Sequence, residues 1–200
     1  MIKNLIFDCS DTLLRFGGLD WLREEVGEEL ALHIHRTMFL QPEWPIYDKG
    51  NLDGETIKKK LRAAFDERDR ELGLQYFDMW YRKHTMIEGI PELIRELKAK
   101  GYRLYVLSDY PECFEYVWES FADFFAIFDG RGVSYELHAR KRERTAFPLM
   151  LERYGLCAGE CCFVDDLYLN TDAATECGIT AHLFSGVENL RKALAELNIL

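Results

Sequence analysis

Several short apolar runs in this 200-residue chain stop at polar residues whose types could do chemistry together. Leu5-Ile6-Phe7 stops at Asp8, with Ser10, Asp11 and Thr12 close behind, and Leu104-Tyr105-Val106-Leu107 stops at Ser108 and Asp109. Phe163-Val164 stops at Asp165 and Asp166, the weaker run Ala181-His182-Leu183-Phe184 stops at Ser185, and Lys141 follows a further strand expected near Ile127 to Val133. Runs bounded in this way are the pattern of buried parallel strands. In an open parallel sheet, ligands bind beyond the carboxyl ends of the strands, so these residues are expected to share one edge. Three or more carboxylates converging there repel one another unless a hard cation lies among them, and an all-oxygen donor set suits magnesium. A lysine and a hydroxyl on the same edge are what an anionic phosphoryl group needs. One strand-ending aspartate carries little weight, since Asp often simply ends a strand. The joint occurrence of the Asp8 segment, Ser108, Lys141 and the Asp165-Asp166 pair carries much more.

The elements that must position these residues can be read from the intervening segments. Pro91 to Lys100 places Leu93, Ile94 and Leu97 on one helical face, with Pro91 in the first turn and Gly101 as the stop. Thr145 to Tyr154, a segment from Thr171 to Gly178, and an amphipathic stretch from about Val187 are also expected to be helical. This alternation predicts an α/β fold, a Rossmann-like parallel sheet with helices on both faces. One block departs from it. From about Phe16 to Met86 the pattern is helical with no convincing strand, broken in the middle around Pro42-Glu43-Trp44-Pro45 and Asp48-Lys49-Gly50. It reads as a four-helix insertion after the first strand, giving a core of residues 1–15 and 87–200 and a cap of residues 16–86.

Composition limits the partners. Hydrophobic residues make up 48% of the chain, enough for a buried core, and the net charge of -10 argues against nucleic acid or an anionic membrane as partner. No apolar run approaches the roughly 18 residues that span a bilayer. The N-terminal Met-Ile-Lys-Asn-Leu-Ile-Phe-Asp lacks the pattern of a secretory leader, so a cytoplasmic location is expected. None of the six cysteines forms a Cys-x-x-Cys pair, and reduced thiols are expected, Cys162 in a buried strand. His33 and His35, two apart on a helix, face different directions. His84, His138 and His182 have no visible partners. Lys58-Lys59-Lys60 reads as a solvated helix face, while Arg140 and Arg142 either draw in anions beside Lys141 or balance local charge.

Taken together, the motifs resemble those of the haloacid dehalogenase superfamily of hydrolases. Phe7-Asp8-Cys9-Ser10-Asp11-Thr12-Leu13-Leu14 resembles its first motif, usually Asp-x-Asp-Gly-Thr-Leu, and Val106-Leu107-Ser108-Asp109-Tyr110-Pro111 its second. Ser134-Tyr135-Glu136 through Lys141 resembles the third, and Phe163-Val164-Asp165-Asp166 with Asn170 and Gly178 the fourth. Glu43-Trp44-x-x-Tyr47-Asp48-x-Gly50-x-Leu52 followed by Glu55 resembles the small helical cap of the branch with sugar-1-phosphate phosphatases and the phosphatase domain of soluble epoxide hydrolases. Trp44 and Tyr47 are there read as cap packing.

The resemblance implies a covalent nucleophile, Asp8, that forms an aspartyl-phosphate. Asp8, the Ser10 backbone carbonyl, Asp165 and Asp166 would hold magnesium; Ser108, its neighbour Asp109 and Lys141 would lie at the phosphate; Thr12 would support the loop. Four departures stand out: Ser10 for the usual second aspartate, Asp11 for glycine, Asp109 for asparagine and Arg142 for proline. Position 10 normally carries the general acid/base, worth roughly 10² to 10⁴ in rate. A weakly basic leaving group depends less on it. Asp11 is a poor substitute, because adjacent side chains on an extended loop diverge. The expected function is therefore magnesium-dependent hydrolysis of a small phosphorylated metabolite such as a sugar phosphate. The alternatives are a catalytically impaired relative that binds or regulates, and a 2-haloacid dehalogenase, which tolerates Ser10 but needs no metal and typically lacks a double acid.

Overall fold

Seven strands form in the computed structural model, which describes residues 1–200: β1 (Asn4–Phe7), β2 (Leu14–Phe16), β3 (His84–Met86), β4 (Arg103–Ser108), β5 (Gly130–Val133), β6 (Cys161–Asp165) and β7 (Thr180–Leu183). Five of them make one parallel sheet in the order β5-β4-β1-β6-β7. All four residues of β1 are buried, which is why Leu5-Ile6-Phe7 is a continuous apolar run rather than an alternating one. Alternate side chains leave on opposite faces. Leu5, Phe7, Leu104, Val106, Cys162 and Val164 join Leu93, Ile94 and Leu97 of helix Ile90–Ala99 and Leu190 and Leu194 of helix Val187–Glu196. Ile6, Tyr105, Leu107, Cys161 and Phe163 join Phe147 and Met150 of helix Ala146–Tyr154 and Ala173 and Ala174 of helix Tyr168–Glu176. The sheet is thus covered on both sides, as the alternation predicts.

The strand order puts β1 at the centre. Phe7 pairs with Val106 of β4 and Val164 of β6, so the residue after it emerges between the ends of its two neighbours.

The Phe16 to Met86 block is not free of strands. β2 and β3 pair antiparallel, Leu14 with Met86 and Phe16 with His84, and form a stem where the chain leaves the core and returns. Three-residue strands are too short to display a two-residue period. The return path runs so close that a Cβ on Gly17 would lie 2.1 Å from the Lys83 carbonyl oxygen, which explains glycine there. Between the stem strands lie five α-helices rather than four, Gly18–Val26, Glu28–Phe39, Trp44–Asp48, Gly54–Ala64 and Arg70–Met79, and a 3₁₀ turn, Trp80–Arg82. The additional one is Trp44–Asp48, a five-residue helix with Pro45 in its first turn. Proline is tolerated there, although in the sequence it reads as a break.

Other boundaries shift by a few residues. The helix expected from Thr171 begins at Tyr168, and the strand expected from Ile127 is confined to Gly130–Val133. All six cysteines are free, with Cys9, Cys161 and Cys162 buried. No helix is long and apolar enough to cross a membrane.

Candidate active site

At the end of β1 the Asp8 backbone N–H still donates to the Val164 carbonyl (2.8 Å), so sheet pairing fixes the aspartate's main chain. Lys141 opens a short 3₁₀ turn, Lys141–Glu143, whose position is set by the Lys141 N–H donating to Asp109 Oδ1 at 3.0 Å. Its ammonium donates to Asp8 Oδ1 (2.5 Å) and to Asp165 Oδ2 (2.6 Å) and is 2% exposed. Asp165 also accepts from the Leu167 N–H (2.8 Å) and from Asn170 Nδ2 (3.0 Å to each oxygen), so its carboxylate is fully engaged. Asp166, by contrast, is half-buried and lines the cavity above Asp8 together with Ser10 and Ser108.

The charges of this cluster do not balance. Ligand atoms of Asp8, Asp165 and Asp166 lie within 4.8 Å of one another, and one ammonium faces three carboxylates. Burial raises the Asp8 pKa well above the usual range, with Lys141 opposing and Asp165 adding to the rise. Burial, then the Asp165 charge, pushes Asp166 up to about 6. Burial also works against the charge on Lys141, but Asp165, Asp8 and Asp109 outweigh it and keep the ammonium protonated. The buried Asn170 Oδ1 finds no partner among protein groups. An all-oxygen set with surplus negative charge and an orphaned acceptor beside it fits a hard divalent cation.

Ser10 and Asp11 point to different partners. The Ser10 Oγ lies 3.4 Å from His84 Nε2, and His84 Nδ1 lies 3.2 Å from the Tyr81 carbonyl. A carbonyl can only accept, so the proton sits on Nδ1 and the Ser10 hydroxyl is the donor to Nε2. Burial lowers the His84 pKa to about 4, which keeps the ring neutral. The Asp11 backbone adopts φ 55°, and its carboxylate accepts from the Phe16 N–H at 2.9 Å. Thr12 is buried.

The cavity over Asp8 has a volume of about 470 Å³. Every residue singled out from the sequence as catalytic or phosphate-binding lines it: Asp8, Ser10, Ser108, Asp109 and Lys141. Of the acids expected at the metal, Asp8 and Asp166 line it while Asp165 stands behind Lys141. The Asp109 carboxylate is turned to the Lys141 backbone and to Arg140 Nε (3.4 Å), positioning the lysine loop.

Several contributors to the site have no local signature in the sequence. The partner of His84, Ser10, lies 74 residues away in sequence, and His138 shares a hydrogen bond with the distant Lys49 carbonyl (2.8 Å). Arg140 pairs with Asp48 across the cavity at 3.3 Å, and Phe16, Phe39, Trp44, Trp80 and Tyr110 supply an aromatic wall. For Trp44 the sequence favours cap packing over substrate contact. It is packed, with 5% exposure, and it also lines the cavity. The one usable signal was the density of aromatics within the insertion.

The profile of the haloacid dehalogenase-like hydrolases matches residues 2–178. The chain belongs to this family. No curated protein is similar enough in sequence to count as a relative. Among solved structures, a family enzyme from Bacteroides thetaiotaomicron in complex with magnesium and inorganic phosphate is similar with a TM-score of 0.70 at 18% identity, covering 96% of this chain and 99% of that one. A predicted hydrolase of the family from Porphyromonas gingivalis gives a TM-score of 0.69 at 20% identity over 99% and 98% of the two chains. L-2-haloacid dehalogenase from Xanthobacter autotrophicus with chloropropionic acid covalently bound gives 0.68 at 18% identity over 100% and 85%. At such identities these structures share the family's fold with the chain and leave its substrate open.

Proposed function

We propose that the chain is a magnesium-dependent phosphatase that hydrolyses a small phosphorylated metabolite through an aspartyl-phosphate on Asp8. The observation that carries this reading is the buried Lys141 ammonium bridging Asp8 and Asp165 in a site that still has one carboxylate, Asp166, in surplus. Asp8, Asp166 and the Ser10 backbone carbonyl would hold the magnesium ion, which supplies positive charge beside the phosphoryl oxygens. Asp165 keeps Lys141 in place. The Asp8 carboxylate attacks phosphorus, the bond to the leaving oxygen breaks, and water then releases phosphate and restores the carboxylate. Lys141 and the Ser108 hydroxyl hold the transferred oxygens, and the ammonium offsets the charge that builds on them. The magnesium and phosphate bound by the Bacteroides enzyme agree with this reading.

A dehalogenase reading has the Xanthobacter enzyme and the serine at position 10 in its favour. It leaves the surplus carboxylate without a purpose, since displacement of halide by Asp8 needs no cation. Incubation with magnesium and a panel of phosphate monoesters is expected to release phosphate, and Asp8→Asn to reduce release to background. Chloride release from 2-haloacids without magnesium, with no phosphate release from any ester, overturns the proposal. Tight binding of a phosphate mimic with no turnover of either substrate class would instead mark a binding protein.

A further inference from the structure

We propose that the substrate of this site is a phosphate ester of a weakly basic hydroxyl carried on a flat, apolar body, of the aryl phosphate class. The inference rests on the phosphatase reading and narrows it. Two independent features of the cavity carry it.

The first is that the residue in the usual proton donor's place, Ser10, has no proton to hand to a departing oxygen, and its neighbour Asp11 is tied back to the loop. The Ser10 hydroxyl donates away from the cavity to His84 Nε2, because the Tyr81 carbonyl fixes the other ring nitrogen as the N–H. Asp11 lines the cavity, but its left-handed backbone turns its carboxylate to the Phe16 N–H, which donates to Oδ1 at 2.9 Å. When Asp8 attacks phosphorus, the P–O bond to the leaving group breaks with its electron pair on that oxygen, which departs as an anion. A phenolate or carboxylate bears that charge far more readily than an alkoxide.

The second is the wall that receives the departing group. Phe39 lies against Trp44 (ring centroids 4.5 Å apart) and Trp80 (5.2 Å), and Trp80 stacks on Tyr110 at 4.8 Å and 25°. With Phe16 these rings supply five of the six hydrophobic residues lining the cavity. A sugar would need polar partners on this side. Only two face it from the cap, and both are partly engaged: Asp48 pairs with Arg140, and His35 shares its Nδ1 with the Tyr76 hydroxyl (2.8 Å), which leaves a single ring nitrogen among five aromatic side chains. A planar ring needs no such partners and gains from aromatic packing.

The test measures kcat and KM of the full-length chain with magnesium on phenyl and 1-naphthyl phosphate, on glycerol 3-phosphate and glucose 6-phosphate, and on acetyl phosphate. Aryl esters are expected to exceed alkyl esters in kcat/KM by about 10²–10⁴, the range that proton donation to a leaving group contributes. Ser10→Asp is expected to raise alkyl turnover and narrow that gap, which the intrinsic lability of aryl esters cannot explain. Trp80→Leu, with Phe39→Leu as a second variant should the first not fold, is expected to raise KM for 1-naphthyl phosphate by more than that for acetyl phosphate, whose leaving group has no ring. Equal wild-type turnover of aryl and alkyl esters overturns this inference and leaves the phosphatase reading standing. So does alkyl turnover that Asp48→Asn abolishes, since the cap would then supply an acid. No release from any ester by wild type or Ser10→Asp overturns both.

Discussion

Three carboxylates held within 4.8 Å of one another are a costly arrangement for a folded chain, and the Lys141 ammonium meets only two of them. Removing one partner of a buried ion pair leaves the remainder uncompensated, at a cost of roughly 3–5 kcal/mol. Lys141→Met is therefore expected to lower the free energy of unfolding at pH 7 by about that amount and to reduce phosphate release at least 100-fold. Urea denaturation of Lys141→Met, Asp8→Asn and the double variant would check this. The double variant should be more stable than the sum of the single effects implies, because with Asp8 neutral the lysine has less charge to offset. Additive losses would show that the lysine acts on substrate alone. Asp8, Ser108 and the acid pair are legible in the sequence because each ends an apolar run, so type and place are read together, and Lys141 is legible only by its order among them, eight residues beyond the strand that ends at Val133. The Ser10 to His84 hydrogen bond is not, since nothing local in either segment points 74 residues along the chain.

Between elements, the joint that matters most is the end of helix Trp44–Asp48 against the loop carrying Lys141. The Ser134 hydroxyl donates to the Asp48 carbonyl (2.6 Å) while accepting from the Tyr110 N–H (2.8 Å), Lys49 pairs with Glu143 (3.0 Å), and the Asp48 carboxylate faces Arg140 (3.3 Å). Burial pushes the Asp48 carboxyl up to about 7, with Arg140 opposing and Asp109 adding to the rise. An acid raised on folding binds more protons in the native state than in the unfolded chain, so its contribution to stability falls as pH rises from about 4 and is gone above about 7. Wild type is therefore expected to lose roughly 2–3 kcal/mol more than Asp48→Asn between pH 5 and pH 8, read from urea midpoints at the two pH values. Parallel losses would place the Asp48 carboxyl in water. This joint was invisible in the sequence for a physical reason. A five-residue helix and two three-residue strands are shorter than the windows over which a helical or strand period shows, whereas β1, β4 and β6 are buried on both faces and carry apolar runs at their centres.

For the molecule as a whole, the order β5-β4-β1-β6-β7 brings the ends of β1, β4 and β6 to one edge, which turns residues more than 150 positions apart into one site. That edge could be foreseen because parallel strands joined by helices all point the same way. The chain also carries a net charge of -10, so any added salt relieves general repulsion. A magnesium effect has to be separated from that background. A ligand that binds only the folded state stabilises it by about 2.7 kcal/mol at 100 times its dissociation constant, roughly 5–10 °C in Tm for a domain of this size. Thermal unfolding in saturating magnesium chloride is expected to show that shift above potassium chloride of equal ionic strength, and a chelator should reverse it. Asp166→Asn should remove the magnesium increment and keep the potassium response, because Asp166 is the acid of the pair that faces the cavity while Asp165 is engaged by Lys141, Asn170 and the Leu167 N–H. If magnesium does no more than potassium, or if Asp166→Asn leaves the increment intact, the strand-end carboxylates do not hold the metal.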